Sequence, residues 1–155
     1  MPDIKIRVEG GEKLRRKLND PQFIKGPLKD FLHGAAFVVE ANMKQGAVVD
    51  TGRLRASITT NIEPLRASIG PSVHYAPYVE FGTRPHWPPK GALQPWAGRH
   101  GFPAGSKGDF IMRAIIAKRG TKAHPFVRPA AQKSIDAIKG LLHLLGLRIA
   151  QRWNR

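Results

Sequence analysis

The chain has no cysteine in its 155 residues. That excludes disulfide frameworks, thiol catalysis and the Cys-based zinc sites, and leaves packing alone to hold the fold. Acids are also scarce, 11 Asp or Glu against 26 Lys or Arg, too few for the clustered carboxylates of a metal-dependent nuclease. Long apolar runs are missing as well. No stretch approaches the roughly 18 uninterrupted apolar residues of a membrane span, and the N-terminal MPDIKIRVEGG holds no apolar segment of signal-peptide length. Neither secretion nor membrane spanning is expected.

What is present describes a globular chain. The length fits one domain over 1–155 with a real core, and 16 Gly with 13 Pro ask for long, shaped loops. The net charge of +15 is unevenly spread: residues 1–80 carry 12 basic and 9 acidic side chains, residues 81–155 carry 14 and 2. Such asymmetry calls for a polyanionic neighbour, either nucleic acid or an acidic protein face.

Residues 1–46 read as a strand and helices. Ile4, Ile6 and Val8 alternate with charged residues as in a half-buried strand, and Glu12 to Leu18 has the spacing of a short basic helix. From Pro27, taken as a first-turn proline, Leu28, Phe31, Leu32, Ala35, Val39 and Met43 mark one face of a long helix ending near Gly46.

Residues 50–82 read as a β-hairpin core and a turn. After Asp50-Thr51-Gly52, Leu54, Ala56, Ile58, Thr60 and Ile62 alternate with Arg53, Arg55, Ser57, Thr59 and Asn61, and the LRASI of 54–58 returns at 65–69. A turn at Glu63-Pro64 sets Ile62 opposite Leu65 and Ile58 opposite Ile69. Tyr75, Tyr78 and Phe81, with Pro77 in the first turn and Gly82 as the stop, predict a helix over 76–81. Glu80 is the only acid between Glu63 and Asp109; the expected partner is an arginine, with Arg53, Arg55, Arg84 and Arg128 as candidates.

Residues 83–108 read as a loop arm or insertion, Pro-rich around His86 and Trp87, with a short helix pattern at Leu93, Trp96 and Ala97. The Gly-rich 98–108 segment is expected to move until a partner orders it. Residues 109–155 are helices, one from Asp109 to Gly120 and a last one from Ala130, joined by the extended TKAHPFVRP. Ile135, Ile138, Leu142, Leu145, Ile149 and Trp153 form the apolar face of the last helix, widened by Leu141 and Leu144, and close packing would explain Gly140 and Gly146. The fold class is α+β: a small antiparallel sheet packed with a long helix in the N-terminal half and a long C-terminal helix, with extended Pro/Gly-rich loops.

The chemical readings are thin. Asp50-Thr51-Gly52 also occurs as the aspartic-protease motif, but Arg53 would set a cation beside the catalytic pair. The alternative has Asp50 accepting from backbone N–H groups of the next turn while Gly52 permits a tight bend. The six histidines show no zincin spacing and no nearby nucleophile motif. Non-specific nucleic-acid binding fits the basic half and the interleaved Trp87, Trp96, Phe102 and Phe126, although no helix-turn-helix, RNA-recognition or zinc-finger signature is present.

In order, VVDTGRLRASI, HYAPYVEFGTRPH, WPPKGALQPWAGRHG and AKRGTKAHPFVRPA resemble the tail-component family of long-tailed bacteriophages, the neck or tail-completion proteins. The resemblance runs from about Ile4 to Ala131. It rests on Asp50, Thr51, Gly52, Arg53 and Leu54, on Tyr75, Glu80 and Gly82, and on Pro125, Phe126 and Pro129; the WPPKGALQPWAGRHG segment is similar to an insertion found in some members. The resemblance implies a structural virion protein with no catalysis and no cofactor, assembled in the host cytoplasm as a homo-oligomeric ring at the head-tail junction. Its implied partners are connector, neck and tail-terminator proteins, with DNA passing through the channel and no membrane. On this view the arm presents Arg84, His86, Trp87, Trp96, Arg99, Phe102 and Lys107 as its contact residues.

Overall fold

The computed structural model describes Arg16 and residues 19–153. The strand read at Ile4, Ile6 and Val8 lies outside the described residues, as does the helix read over Glu12 to Leu18 apart from Arg16, which is helical. The elements are α1 (Pro21–Gly46), α2 (Arg53–Ala56), β1 (Ile58–Glu63), β2 (Arg66–Pro71), α3 (Ala76–Phe81), α4 (Gln94–Arg99), α5 (Ser106–Arg119) and α6 (Val127–Trp153). A two-stranded antiparallel sheet with long helices makes the fold α+β and mostly helical. By internal contacts the chain forms two compact units. The first gathers residues up to Asn42, Thr59–Gly70 and Ala130 onward; the second gathers Met43–Ile58 and Pro71–Pro129.

In the first unit, α1 starts six residues before the expected Pro27. The cap is Asp20, whose carboxylate accepts the Gln22 N–H at 2.8 Å and whose carbonyl accepts the Phe23 N–H at 3.0 Å. Pro21 takes the first helical position, where a missing N–H costs nothing. Pro27 therefore sits inside the helix and leaves the Phe23 carbonyl without its helical donor. Arg152 fills that gap from α6, its Nη1 donating to the carbonyls of Gln22 at 3.0 Å and Phe23 at 3.3 Å.

α1 and α6 run antiparallel within this unit. The Asn42 amide donates to Ser134 Oγ at 2.8 Å, Arg148 pairs with Asp30 at 3.0 Å, and Phe23 meets Trp153 edge-on with ring centroids 6.0 Å apart. Gly34 lets the helices close: a Cβ there would stand 3.3 Å from Leu141 Cδ1. Gly140 and Gly146 have no such reason, because a Cβ at either meets nothing within 4 Å. Close packing at those two glycines is thus corrected. Gly140→Ala and Gly146→Ala should each stabilise the protein by about 0.5–1 kcal/mol, readable as a raised urea midpoint at constant slope.

The covered line of α6 is Ser134, Ile138, Leu141, Leu145 and Ile149, so the expected stripe is rotated and Ile135, Leu142, Leu144 and Trp153 lie exposed. Thr60 in β1 hydrogen-bonds the Glu40 carboxylate, tying the hairpin to α1. The hairpin turns at Pro64-Leu65, one residue later than expected. Two residues between equal strands place Ile62 across from Ala67, and Leu65, expected on the apolar face, is 78% exposed at the tip.

Candidate assembly interface

All of the motif residues singled out from sequence fall in the second unit. Its entry, Asp50 to Ser57, is a helical turn and not the start of the strand. Gly52 holds φ +79°, the Ala56 N–H donates to the Gly52 carbonyl at 2.9 Å, and the Ser57 hydroxyl closes on the Leu54 carbonyl at 2.7 Å. The misreading has a physical cause: Leu54 and Ile58, both buried, are four apart, a spacing that satisfies the strand and the helix periods equally. Asp50 caps no backbone here. Its carboxylate takes the guanidinium of Arg99 in a two-pronged pair, Nε to Oδ1 at 2.9 Å, with His100 Nε2 at 4.0 Å. The Arg99 hydrogen bonds lower the Asp50 pKa against the cost of desolvation, and the charges of Arg99 and His100 add to the effect.

α3 forms over Ala76–Phe81 as read, with Pro77 in its first turn and Gly82 after it. Ala76 and Glu80 face inward while Tyr78 and Phe81 are exposed. Glu80 does not pair with an arginine side chain. Its carboxylate accepts the backbone N–H groups of Phe126 at 2.6 Å, Val127 at 2.9 Å and Arg128 at 3.1 Å. An α-helix leaves four N-terminal N–H groups without partners. In α6 three of them end on Glu80 and the fourth position is Pro129, which has no N–H. This is why α6 starts at Val127, with Pro129 in its first turn, and not at the expected Ala130. Burial opposes the charged carboxylate, but the amides of Val127, Phe126 and Arg128 outweigh it and hold the Glu80 pKa below its ordinary value.

Two further contacts complete the latch between the YAPYVEFGT and TKAHPFVRPA segments. The His124 N–H donates to the Val79 carbonyl at 2.8 Å, and Thr83 and Thr121 form an antiparallel bridge through their backbones at 3.1 and 3.2 Å and their hydroxyls at 3.0 Å. Phe126 is fully buried, against Gly46, whose Cβ would stand 3.6 Å from that of Phe126.

The arm is strapped to α5. α4 forms over Gln94–Arg99 and α5 begins at Ser106, three residues before the expected Asp109. Asp109 is buried inside α5 and accepts the N–H groups of Gly91 at 2.9 Å and Leu93 at 3.0 Å, while Arg113 Nε donates to the Pro88 carbonyl at 2.8 Å. The Gly91 amide lowers the Asp109 pKa against desolvation, helped by Leu93, Arg113 and Lys90. The Gly98 to Gly108 segment is mostly exposed and is pinned at two points: the Phe102 N–H donates to the Ala97 carbonyl at 3.1 Å, and any side chain at buried Gly108 would collide with the Pro103 carbonyl. Asp109→Asn is expected to raise amide exchange at Gly91 and Leu93 by about tenfold or more while leaving α6 protection unchanged, as read by hydrogen exchange.

Of the expected contact residues, Arg84, His86, Trp87, Arg99 and Lys107 are exposed, and Trp96 and Phe102 are half-buried. The structure engages most of them internally. Trp96 stacks on His100 at 3.9 Å, Phe102 lies 6.0 Å from Trp96, Arg99 is held by Asp50, and His86 Nδ1 hydrogen-bonds the Arg84 carbonyl. Trp87 stays open, with Phe110 at 6.3 Å and the Arg113 guanidinium at 5.4 Å from its ring. Phe110 was missed in sequence, where only its helical spacing with Ala114 marks it. Among the described residues no three His, Asp or Glu side chains cluster as metal ligands, and no helix is long and apolar enough to cross a membrane.

Neither the curated proteins nor the solved structures hold a significant match to the chain. A family model does match, over residues 11–82, from before α1 to the glycine that ends α3, and it is described as "Bacteriophage HK97-gp10, putative tail-component". Over residues 11–82 the chain is thus similar to the HK97-gp10-like bacteriophage proteins of that description, the kind of protein its motifs resemble.

Proposed function

We propose that the chain is a structural virion protein of the neck or tail-completion region that assembles as a closed ring joining the head connector to the tail. The family match supports the tail-region role. The observation that carries the ring is the apolar surface of the first unit, where α6 exposes Ile135, Leu142, Leu144, Leu147 and Trp153, and α1 exposes Ile24 and, at 75%, Phe37. Ile135, Leu142 and Trp153, spaced by seven and eleven, share one side of α6; exposed apolar surface shared in that way marks interaction sites, and a heterologous contact that closes by rotation builds a ring from one chain. In this reading the arm, with Arg84, His86, Trp87 and Lys107, meets a connector or tail-terminator ring, and the protein resides in the virion without catalysis or cofactor.

Native mass measurement on the full chain tests the ring. Wild type should give one closed oligomer, and Leu142→Glu with Leu147→Glu should give monomers of unchanged helical content, because both side chains are exposed. A wild type that is monomeric alone and with co-expressed neck proteins contradicts the reading. A second reading, non-specific nucleic-acid binding, draws on the second unit's twelve Lys or Arg against three carboxylates. It predicts DNA affinity that falls steeply with salt and no ring.

A further inference from the structure

We infer that the outer face of α5, together with Trp87, is a docking groove for an acidic amphipathic helix of a different protein. The inference rests on the tail-component reading only for where that protein is met. Lys107, Phe110, Ile111, Ala114, Ile115 and Lys118 recur at three and four residues and share one face. Phe110 is 60% exposed, Ile115 is exposed, and with Ile111, Ala114, Lys118 and Arg119 they line a shallow groove of about 490 Å³. Trp87 extends the apolar floor beyond Phe110. The rim is cationic, and among the described residues Lys107, Lys118 and Arg119 have no carboxylate partner.

Charge decides what fits. Every carboxylate of the second unit is already engaged: Asp50 by Arg99, Glu80 by three backbone amides, Asp109 by two. The described carboxylates of the first unit have contacts as well, most of them at the exposed surface. Asp20 caps α1, Asp30 holds Arg148, Glu40 takes Thr60, Glu63 takes the Asn61 amide and Asp136 lies 3.6 Å from Lys139. A second copy of this chain carries 26 Lys or Arg against 11 Asp or Glu and so meets the cationic rim with like charge, which points to a different protein. The floor argues against a duplex, since phosphate rails give Phe110 and Ile115 nothing apolar to bury against. An amphipathic helix with Leu on one face and Glu along both flanks satisfies floor and rim together.

The test uses the full chain and three fluorescent probes: a Leu/Glu amphipathic peptide, the same peptide with Gln for Glu, and a mixed-sequence DNA duplex. Expected are saturable binding of the Leu/Glu peptide, weakening by about tenfold or more in Phe110→Ala/Ile115→Ala, similar weakening in Lys118→Glu/Arg119→Glu, and little binding of the Gln peptide. The inference is overturned if the Leu/Glu peptide does not bind, if the Phe110→Ala/Ile115→Ala chain binds it as wild type does, or if only the duplex responds to Lys118→Glu/Arg119→Glu. The exposed positions chosen keep folding intact. The self-association state of wild type, measured separately, reports on the ring, so failure here and failure there are distinct results.

Discussion

Glu80→Ala should lower stability by about 3–5 kcal/mol, since it orphans three backbone N–H donors at a buried helix start and removes a charge-assisted acceptor from each. For a chain of this length that is a fall in Tm of roughly 10 °C. Glu80→Gln should lose about half as much. Its carbonyl oxygen can still serve Phe126 and Val127, while its NH2 would face the Arg128 N–H donor to donor. The same carboxylate sets an acid dependence. Its folded pKa is lowered, so the stabilisation is fully present above the ordinary glutamate value of 4.5 and is lost as pH falls through the lower folded value. Urea midpoints measured from neutral pH downward should therefore fall more steeply for wild type than for Glu80→Gln below about pH 5. Parallel slopes would mean that Glu80 does not hold the start of α6.

Gly120→Ala is the second large effect, expected at about 4 kcal/mol or more. Gly120 has φ +71° and ψ −158°, a region that side chains do not enter, and a Cβ there would fall onto the Thr83 carbonyl oxygen, whose bridge to Thr121 it faces. Gly82, at φ +70° and ψ −175°, stands in the same relation to the Thr121 carbonyl from the other side of the bridge. Gly52→Ala separates backbone strain from collision. Gly52 has φ +79° with nothing within 4 Å of a Cβ, so the cost there should be only about 1–2 kcal/mol. Denaturant unfolding of the three variants should rank Gly120 and Gly82 well above Gly52; equal costs would remove the bridge from the account.

Local signals in the sequence carry the elements whose cause is local. Ala76–Phe81 is legible because Pro77 and Gly82 punctuate it, and the Thr60/Ile62 alternation gives β1 its inward face. What fails is decided by distant partners. Pro27 reads as a helix start, yet Arg152, 125 positions away, satisfies the carbonyl that the proline strands. Ala130 reads as the start of α6 because Pro129 reads as a break, until Glu80 supplies the missing cap from α3. Pairing Glu80 with arginine follows charge alone, and no pattern in one sequence announces that a carboxylate will be spent on backbone amides 46 to 48 residues away. The latch also gives the YAPYVEFGT and TKAHPFVRPA segments a physical reason to occur together, although the second lies beyond the residues the family model matches.

The most direct test of the assembly role is to locate the chain in purified phage particles by quantitative mass spectrometry with electron cryo-microscopy. The account predicts a fixed copy number forming one closed ring at the head-tail junction. Particles that lack the chain, or that carry it as scattered copies without rotational order, would contradict it.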